Sequence, residues 1–412
     1  MGRKAADCNL MRGRATRRHA EAPLRPPVAL SAPPRFALLY AAQFATVGVL
    51  QPFLPAVLAG HGLTPGQIAA VLALASAVRL LAAPAVGRGA DGIGDARSIL
   101  VLAAGLAACM VTGFAWVPGI GAPGFGALVA VAMLHALVSA PVVPLSDALC
   151  LGAARRLGFD YGRARSAGSA SYIAAAVLAG FAVQAVGAVA VIWIASLCYL
   201  LTVLAARGLP RLEATGGGRG GFRAPFREPA FRWLLPLSAL IQGSHALYYG
   251  FATLHWQATG LSSGVIGLLW AEGVVVEVLL FLSWGKPLME RLGPGGMALL
   301  AASAGLLRWS VTASTSWLPA LIAVQLLHAL TFGAMHLAAM RVLGGLPPGQ
   351  AATAQTLHAS LGTGLAMGVL TYLCGPLYAS FGGAGFWAMA GLCALALPLA
   401  MQLRAVLRRR PG

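Results

Sequence analysis

Across 412 residues the chain is 58% hydrophobic and only 10% charged, with a mean hydropathy of +0.78. Soluble proteins carry about 25% charged residues, so this composition argues against a soluble enzyme. Lipid admits only helices or closed barrels, and the alternating strands of an outer-membrane barrel are missing, which leaves an all-α membrane protein. A net charge of +18 would point to nucleic acid in a soluble chain. Here it has to be judged by where the 29 basic residues lie.

In chain order, residues 1–35 form a basic, Pro-rich tail that runs into a long apolar segment. A signal peptide would show a short apolar core and a cleavage site, so the tail reads as cytoplasmic, with Met11 an alternative start. A transmembrane helix needs about 20 apolar residues. Twelve such spans are expected near 36–59, 67–87, 98–117, 124–151, 165–186, 188–206, 231–257, 264–285, 295–313, 317–341, 352–379 and 384–404. Gly- and Pro-rich breaks such as HGLTPG, TGLSSG and GGLPPGQ separate them. The six cysteines are scattered without metal-ligand spacing and read as small packing residues. No motif calls for a metal or cofactor.

Lys and Arg mark the cytoplasmic side of membrane proteins. With the N-terminus inside, 27 of the 29 basic residues fall in cytoplasmic segments and none in the external loops, while Arg79 and Arg308 lie within spans. This distribution gives a multi-pass protein of the inner (cytoplasmic) membrane with both termini cytoplasmic, and it needs no nucleic-acid partner. The longest connection, 207–230, is basic and Gly-rich. It divides a six-helix bundle over 36–206 from another over 231–404, with a short tail over 405–412.

The two halves resemble each other. At an offset of 198, Gly62-Leu63-Thr64 aligns with Gly260-Leu261-Ser262, Gly87 with Gly285, and Arg79 falls opposite Glu277. At an offset of 193, Leu134-His135-Ala136-Leu137 matches Leu327-His328-Ala329-Leu330. Parallel six-span repeats are the architecture of major facilitator transporters, which bind substrate near the midplane between the halves. The loop Gly87-Arg-Gly-Ala-Asp91-Gly-Ile-Gly94-Asp-Ala-Arg97 is similar to the GxxxDRxGRR loop of that superfamily, with Gly92 at a usually basic position. Its counterpart holds Glu290 and Arg291. Asp91, Arg97, Glu290 and Arg291 are expected to latch an access state, as are Asp147 and Arg341 at the cytoplasmic ends of spans 4 and 10.

Further segments narrow the resemblance: HALYYGFATLHWQATGLSSGVIGLLWAEGVVVEV from His245, Pro141-Val-Val-Pro144-Leu-Ser-Asp147, and Asp160-Tyr161-Gly162-Arg163. With Val324-Gln325-Leu-Leu-His328 and the run to Arg341, they cover most of 36–404. The chain resembles the 3-phenylpropionate transporter family, a lactose-permease-like branch, although it reads RSAGS at Arg165–Ser169 where that family often has RLWGS. The resemblance implies a proton-coupled importer of small organic acids.

Polar groups within spans carry the functional expectations, because lipid penalises each of them. Ser238, Gln242, His245, Tyr249, Thr253 and Trp256 recur at helical spacing on span 7, and Gln325, His328, Phe332 and His336 on span 10. Each stripe is expected to line a cavity, the alternative being hydrogen bonds between packed helices. His135, the repeat partner of His328, is expected to be a structural relic. Arg79 or Arg308 would engage a carboxylate with its planar fork. Tyr248, Tyr249 and Trp256 would supply apolar surface. Glu277 is the first choice for the coupling proton, with Glu272, His328 and His245 beside it; Glu272 lies about 140° away around the helix.

The expected protein is thus a twelve-helix secondary transporter taking up a small aromatic acid with protons by alternating access, as a monomer in the bilayer. Alternatives are a sugar or nucleoside symporter, a drug efflux antiporter, or a non-transporting membrane sensor. Span 5 lacks the Gly-Pro element common in efflux antiporters, and no HExxH, GxSxG or paired-Asp motif supports an intramembrane enzyme.

Overall fold

The computed structural model describes residues 31–93, 95–117, 122–210, 223–347 and 350–409; side chains at 83–93, 122–123 and 351–352 are outside the description. The N-terminal tail up to residue 30, Met11 included, the middle of the linker and the Asp91 side chain therefore lie outside it. The first seven helices are α1 (Ala32–Gly60), α2 (Pro65–Ile93), α3 (Ala96–Trp116), α4 (Ala122–Ser139), α5 (Val142–Leu157), α6 (Tyr161–Val186) and α7 (Ala190–Arg207). After the linker come α8 (Pro229–Gly243), α9 (Ala246–Ala258), α10 (Ser263–Leu279), α11 (Gly285–Ser314) and α12 (Leu318–Gln325). The chain closes with α13 (Met335–Gly344), α14 (Ala351–Leu357), α15 (Ala366–Phe381) and α16 (Phe386–Arg408).

Local chemistry sets the boundaries. The Asp95, Asp160 and Ser262 side chains accept from the backbone N–H groups of Ser98, Arg163 and Val265 and so cap α3, α6 and α10. Gly62 and Gly260, paired by the sequence repeat, both adopt positive φ (75° and 91°) in the turns after α1 and α9. A side chain would resist that conformation, so the repeat preserves turn geometry as well as letters.

By length and composition, nine stretches among the described residues can cross a membrane. Two of them are longer than one crossing needs: 52 residues over Ser263–Ser314 and 56 over Thr353–Arg408. The first is divided at Gly293 (φ 65°, ψ 172°) and the second at Gly382 (φ 52°). Helices α8 and α9 form another long run, interrupted at Ser244–His245. Three π-helical segments interrupt the later helices, at Leu280–Trp284, Ala329–Ala334 and His358–Leu365.

The outward surface is oily. Leu81, Leu102, Leu204 and Leu282 are each more than 60% exposed, which water would penalise and lipid does not. Trp116, Trp193, Trp317 and Trp387 are exposed at helix ends, where an indole suits the membrane interface. Inside, α1 packs on α6 and α7, α3 on α7, and α11 and α8 on α16. Contacts between early and late helices are made by α6 with α10, α2 with α15, and α1 with α9.

Those crossings are tightest near the end that carries Gly62 and Gly260. A Cβ on Gly267 would lie 2.5 Å from the Ala176 carbonyl, and one on Gly180 would lie 2.5 Å from the Ser263 carbonyl. Gly375 abuts Ala69, Gly66 and Pro65 in the same way. Thr253 donates to the Pro52 carbonyl at 2.6 Å, tying α9 to α1. Small residues let membrane helices approach closely enough for dispersion and backbone contacts to hold them. Overpacking such a contact costs about 1–3 kcal/mol, so Gly267→Ala should lower the thermal unfolding midpoint of the purified protein. Gly152→Ala, with open space around its Cβ position, should leave that midpoint in place.

Candidate functional site

A central cavity of about 470 Å³ lies beneath this tight end. Its walls come from α1 (Gln43, Thr46, Leu50, Gln51, Leu54), α2 (Val71, Leu72, Ser76, Arg79), α3 and α4 (Phe114, His135), α7 (Tyr199) and α9 (Tyr249, Gly250). Among the described residues Arg79 is the cation on this wall. The residue is exposed and lines the cavity, and its guanidinium makes no hydrogen bond or ion pair with a described residue. Beside it, His135 Nε2 and the Tyr199 hydroxyl are 3.1 Å apart. Phe114 meets the His135 ring edge to face at 6.4 Å. The cavity is otherwise mostly apolar.

Arg308 has the opposite environment. It is fully buried, and its fork is already bonded. Nη2 donates to Gln325 Oε1 (2.7 Å), and Nη1 donates to His328 Nδ1 (3.1 Å) and Thr331 Oγ1 (3.2 Å). The guanidinium carbon sits 4.8 Å from the Tyr248 ring centroid and 4.4 Å from that of Trp309, so aromatic faces meet the charge where hydrogen bonds do not. Gln325 passes the network on, donating through Nε2 to the Tyr248 hydroxyl (2.9 Å) and the Leu269 carbonyl (2.8 Å).

Hydrogen-bond direction fixes the histidines. Arginine only donates, so His328 Nδ1 presents a lone pair and its proton sits on Nε2. That nitrogen faces Glu277 Oε2 at 3.6 Å. His245 Nδ1 donates to the Ile241 carbonyl (3.1 Å), and its Nε2 lies 3.1 Å from Thr331 Oγ1. Glu277, His328, Arg308, Thr331 and His245 thus form one continuous array. The π-helical segments follow directly on this array, with Ala329–Ala334 next to His328 and Leu280–Trp284 three residues after Glu277; π turns recur at functional sites.

Several expected residues fall elsewhere. Of the span 7 stripe only Tyr249 lines the cavity. Ser238 bonds His358 (2.8 Å), Thr253 bonds Pro52 and accepts from Trp270 Nε1 (3.1 Å), and Gln242 and Trp256 are buried. The break at Ser244–His245 turns the stripe from a cavity wall into interhelical bonding. His336 is exposed near Phe281, away from His328's partners. Among the described residues neither Glu277 nor Glu272 lies within ion-pair distance of an Arg, so Glu277 faces His328 and not its repeat mate Arg79. Glu272 opens into a separate apolar groove between α6, α10 and α12, off the central cavity.

The expected gating residues vary. Asp147 accepts from the Tyr40 hydroxyl (2.7 Å) and the Tyr161 hydroxyl (3.0 Å) and lies 3.7 Å from Arg165 Nε. Arg165 also stacks 3.8 Å over the Phe44 ring. This cluster ties α1, α5 and α6 together. Arg97 donates to the Arg207 carbonyl, while Glu290 pairs loosely with Lys286 (3.9 Å) on the surface. Arg341 is exposed. Sequence reasoning missed Tyr199 and Arg165, and it treated His135 as a relic. Their shared letters with His328 were a usable signal for His135, but nothing in the local pattern singles out Tyr199.

The helical fold of the described residues, the repeat between the two halves and a mainly apolar central cavity define the class as that of a major facilitator transporter. The model of the MFS_1 like family matches residues 35–389, and the chain belongs to that family. It is 32% identical over 379 residues to the "Probable 3-phenylpropionic acid transporter" of Escherichia coli (strain K12), covering 89% of this chain and 96% of that one. It is 25% identical over 386 residues to the "Maltose permease" of Geobacillus stearothermophilus, covering 92% and 95%. Among solved structures, the nucleoside transporter NupG superposes with a TM-score of 0.78 at 15% identity, covering 92% of this chain and 100% of NupG. A bacterial homologue of the lysosomal transporter Spinster gives a TM-score of 0.69, also at 15% identity, covering 92% and 98%. The protein is therefore a multi-pass membrane transporter.

Arg308 serves three acceptors, and a buried acceptor left without its donor costs about 1–3 kcal/mol. Arg308→Met should therefore lower thermal stability strongly in a melt of the purified protein. Arg308→Lys should recover little of it, since a point charge cannot span a fork-shaped site.

Proposed function

We propose that the protein imports a small aromatic carboxylic acid together with a proton, through twelve crossings with both termini in the cytoplasm and alternating access between two six-helix bundles. The observation that carries the substrate class is Arg79: an exposed arginine, unpaired among the described residues, on the wall of a mainly apolar cavity. A carboxylate satisfies such a fork bidentately, and the Tyr199 hydroxyl, in contact with His135, lines the same wall. Leu50, Leu54, Val71, Leu72, Phe114 and Tyr249 offer the apolar surface an aryl ring needs. Arg308 does not compete for the substrate, because it is fully buried, does not line the cavity, and donates through both terminal nitrogens to protein. The E. coli relative, whose name specifies 3-phenylpropionic acid, supports the same class.

Glu277 is the proposed proton carrier. Its carboxylate faces the Nε2–H of His328, which in turn is held by Arg308. A proton arriving on Glu277 removes the negative charge facing that N–H and loosens the hold of α10 on the helix bearing His328. A proton moved instead to His328 Nδ1 would set two donors against each other and release Arg308. Either event links protonation to helix packing, which a symporter requires to couple proton flow to the change of access.

Two outcomes check the proposal. Arg79→Gln should raise the apparent KM for 3-phenylpropionate by about tenfold or more, the scale of a lost charge-assisted bond, measured as uptake in proteoliposomes. Glu277→Gln should abolish accumulation driven by an imposed pH gradient while exchange of labelled for unlabelled acid continues. Gradient-driven accumulation by Glu277→Gln at the wild-type level would remove Glu277 from the coupling step.

A further inference from the structure

We infer that Gln51 reads a hydrogen-bonding substituent at the far end of the substrate's ring, so that the preferred acids are ring-hydroxylated ones. The inference rests on the proposal that an aromatic carboxylate occupies the central cavity with its charged end on Arg79.

Gln51 lines the cavity and is only half-buried. Its side-chain amide makes no hydrogen bond to a described residue, whereas those of Gln43, Gln184 and Gln325 are engaged. Gln43 donates to Ser146, Gln184 accepts from Gly264 N, and Gln325 holds Arg308 and Tyr248. Its neighbours on the wall are Leu50, Leu54 and Pro55. A primary amide placed on an apolar wall costs free energy unless a partner meets it. An amide also both donates and accepts, which matches a hydroxyl better than it matches a second carboxylate or an ammonium.

The position suits one aryl ring. Gln51 lies about nine residues below the Gly60 end of α1, and Arg79 about fourteen residues below the adjacent Pro65 end of α2. At about 1.5 Å per residue, Arg79 sits roughly 7 Å deeper than Gln51 along the bundle. Phe114, Leu72 and Tyr249 line the cavity with them. The helix carrying Gln51 is also held in place, because Thr253 donates to the Pro52 carbonyl at the next residue. A recognition group on a fixed element discriminates better than one on a mobile loop.

The test measures binding of 3-phenylpropionate and of its meta- and para-hydroxy derivatives to the purified full-length protein, by calorimetry or competition. Wild-type protein should bind the better hydroxy acid about threefold to tenfold more tightly than the unsubstituted acid, the range of one neutral hydrogen bond. That ratio should fall towards one in Gln51→Leu and be partly kept in Gln51→Asn. A wild-type ratio of one overturns the inference without any variant having to fold, and so does a ratio that survives in Gln51→Leu. In both cases the acid-transport proposal stands. If none of the three acids binds the wild-type protein, the acid-transport proposal fails and this inference fails with it.

Discussion

A guanidinium that can only donate hydrogen bonds is fully buried at Arg308, and the chemistry of the C-terminal helices follows from that constraint. Every atom that meets it has to accept or to present a π face. Gln325 turns its carbonyl inward and spends its amide protons on Tyr248 and Leu269. His328 presents a lone pair on one side and is left with an N–H on the other, aimed at Glu277. The tautomer of the histidine is thus fixed by its neighbour, and the acid's environment is fixed in turn by the histidine. A structural cation of this kind sets the geometry around the proposed proton site.

The N-terminal helices carry a looser version of the same set. Arg79, His135 and Tyr199 lie together as Arg308, His328 and Tyr248 do, but the first set opens on a cavity and the second is sealed. Two related arrangements have therefore divided the labour: one keeps its charge available, the other uses it internally. The cavity is closed above by glycine contacts between α6 and α10 and between α2 and α15. Those contacts involve backbone atoms, so in the proposed alternating-access cycle they would part as rigid surfaces without repacking of long side chains.

Much of the fold was legible because membrane helices advertise themselves in bulk composition and turns in glycine. The repeat at Gly62 and Gly260 reappears as matched positive-φ turns, and the angular separation of Glu272 from Glu277 is realised in two different environments. The site was less legible. Sequence could not tell Arg79 from Arg308, since both are lone arginines in apolar runs and only their neighbours differ. Periodicity failed where the helix stops being regular. The break at Ser244–His245 redirects the span 7 stripe, and the π turn at Ala329–Ala334 spends about one more residue per turn, so His336 no longer shares the face of His328. Tyr199 acquires its role through a residue 64 positions away, His135, a relation that no local pattern encodes.

For the proposed mechanism, one substrate anion held at Arg79 and one proton held at Glu277 bring no net charge to the loaded carrier. A transmembrane voltage acts only on net displaced charge, so transport of that pair would give it no purchase. The energy available for accumulating acid is then the pH difference alone, about 1.4 kcal/mol per unit, and a cell could not raise its uptake by hyperpolarising.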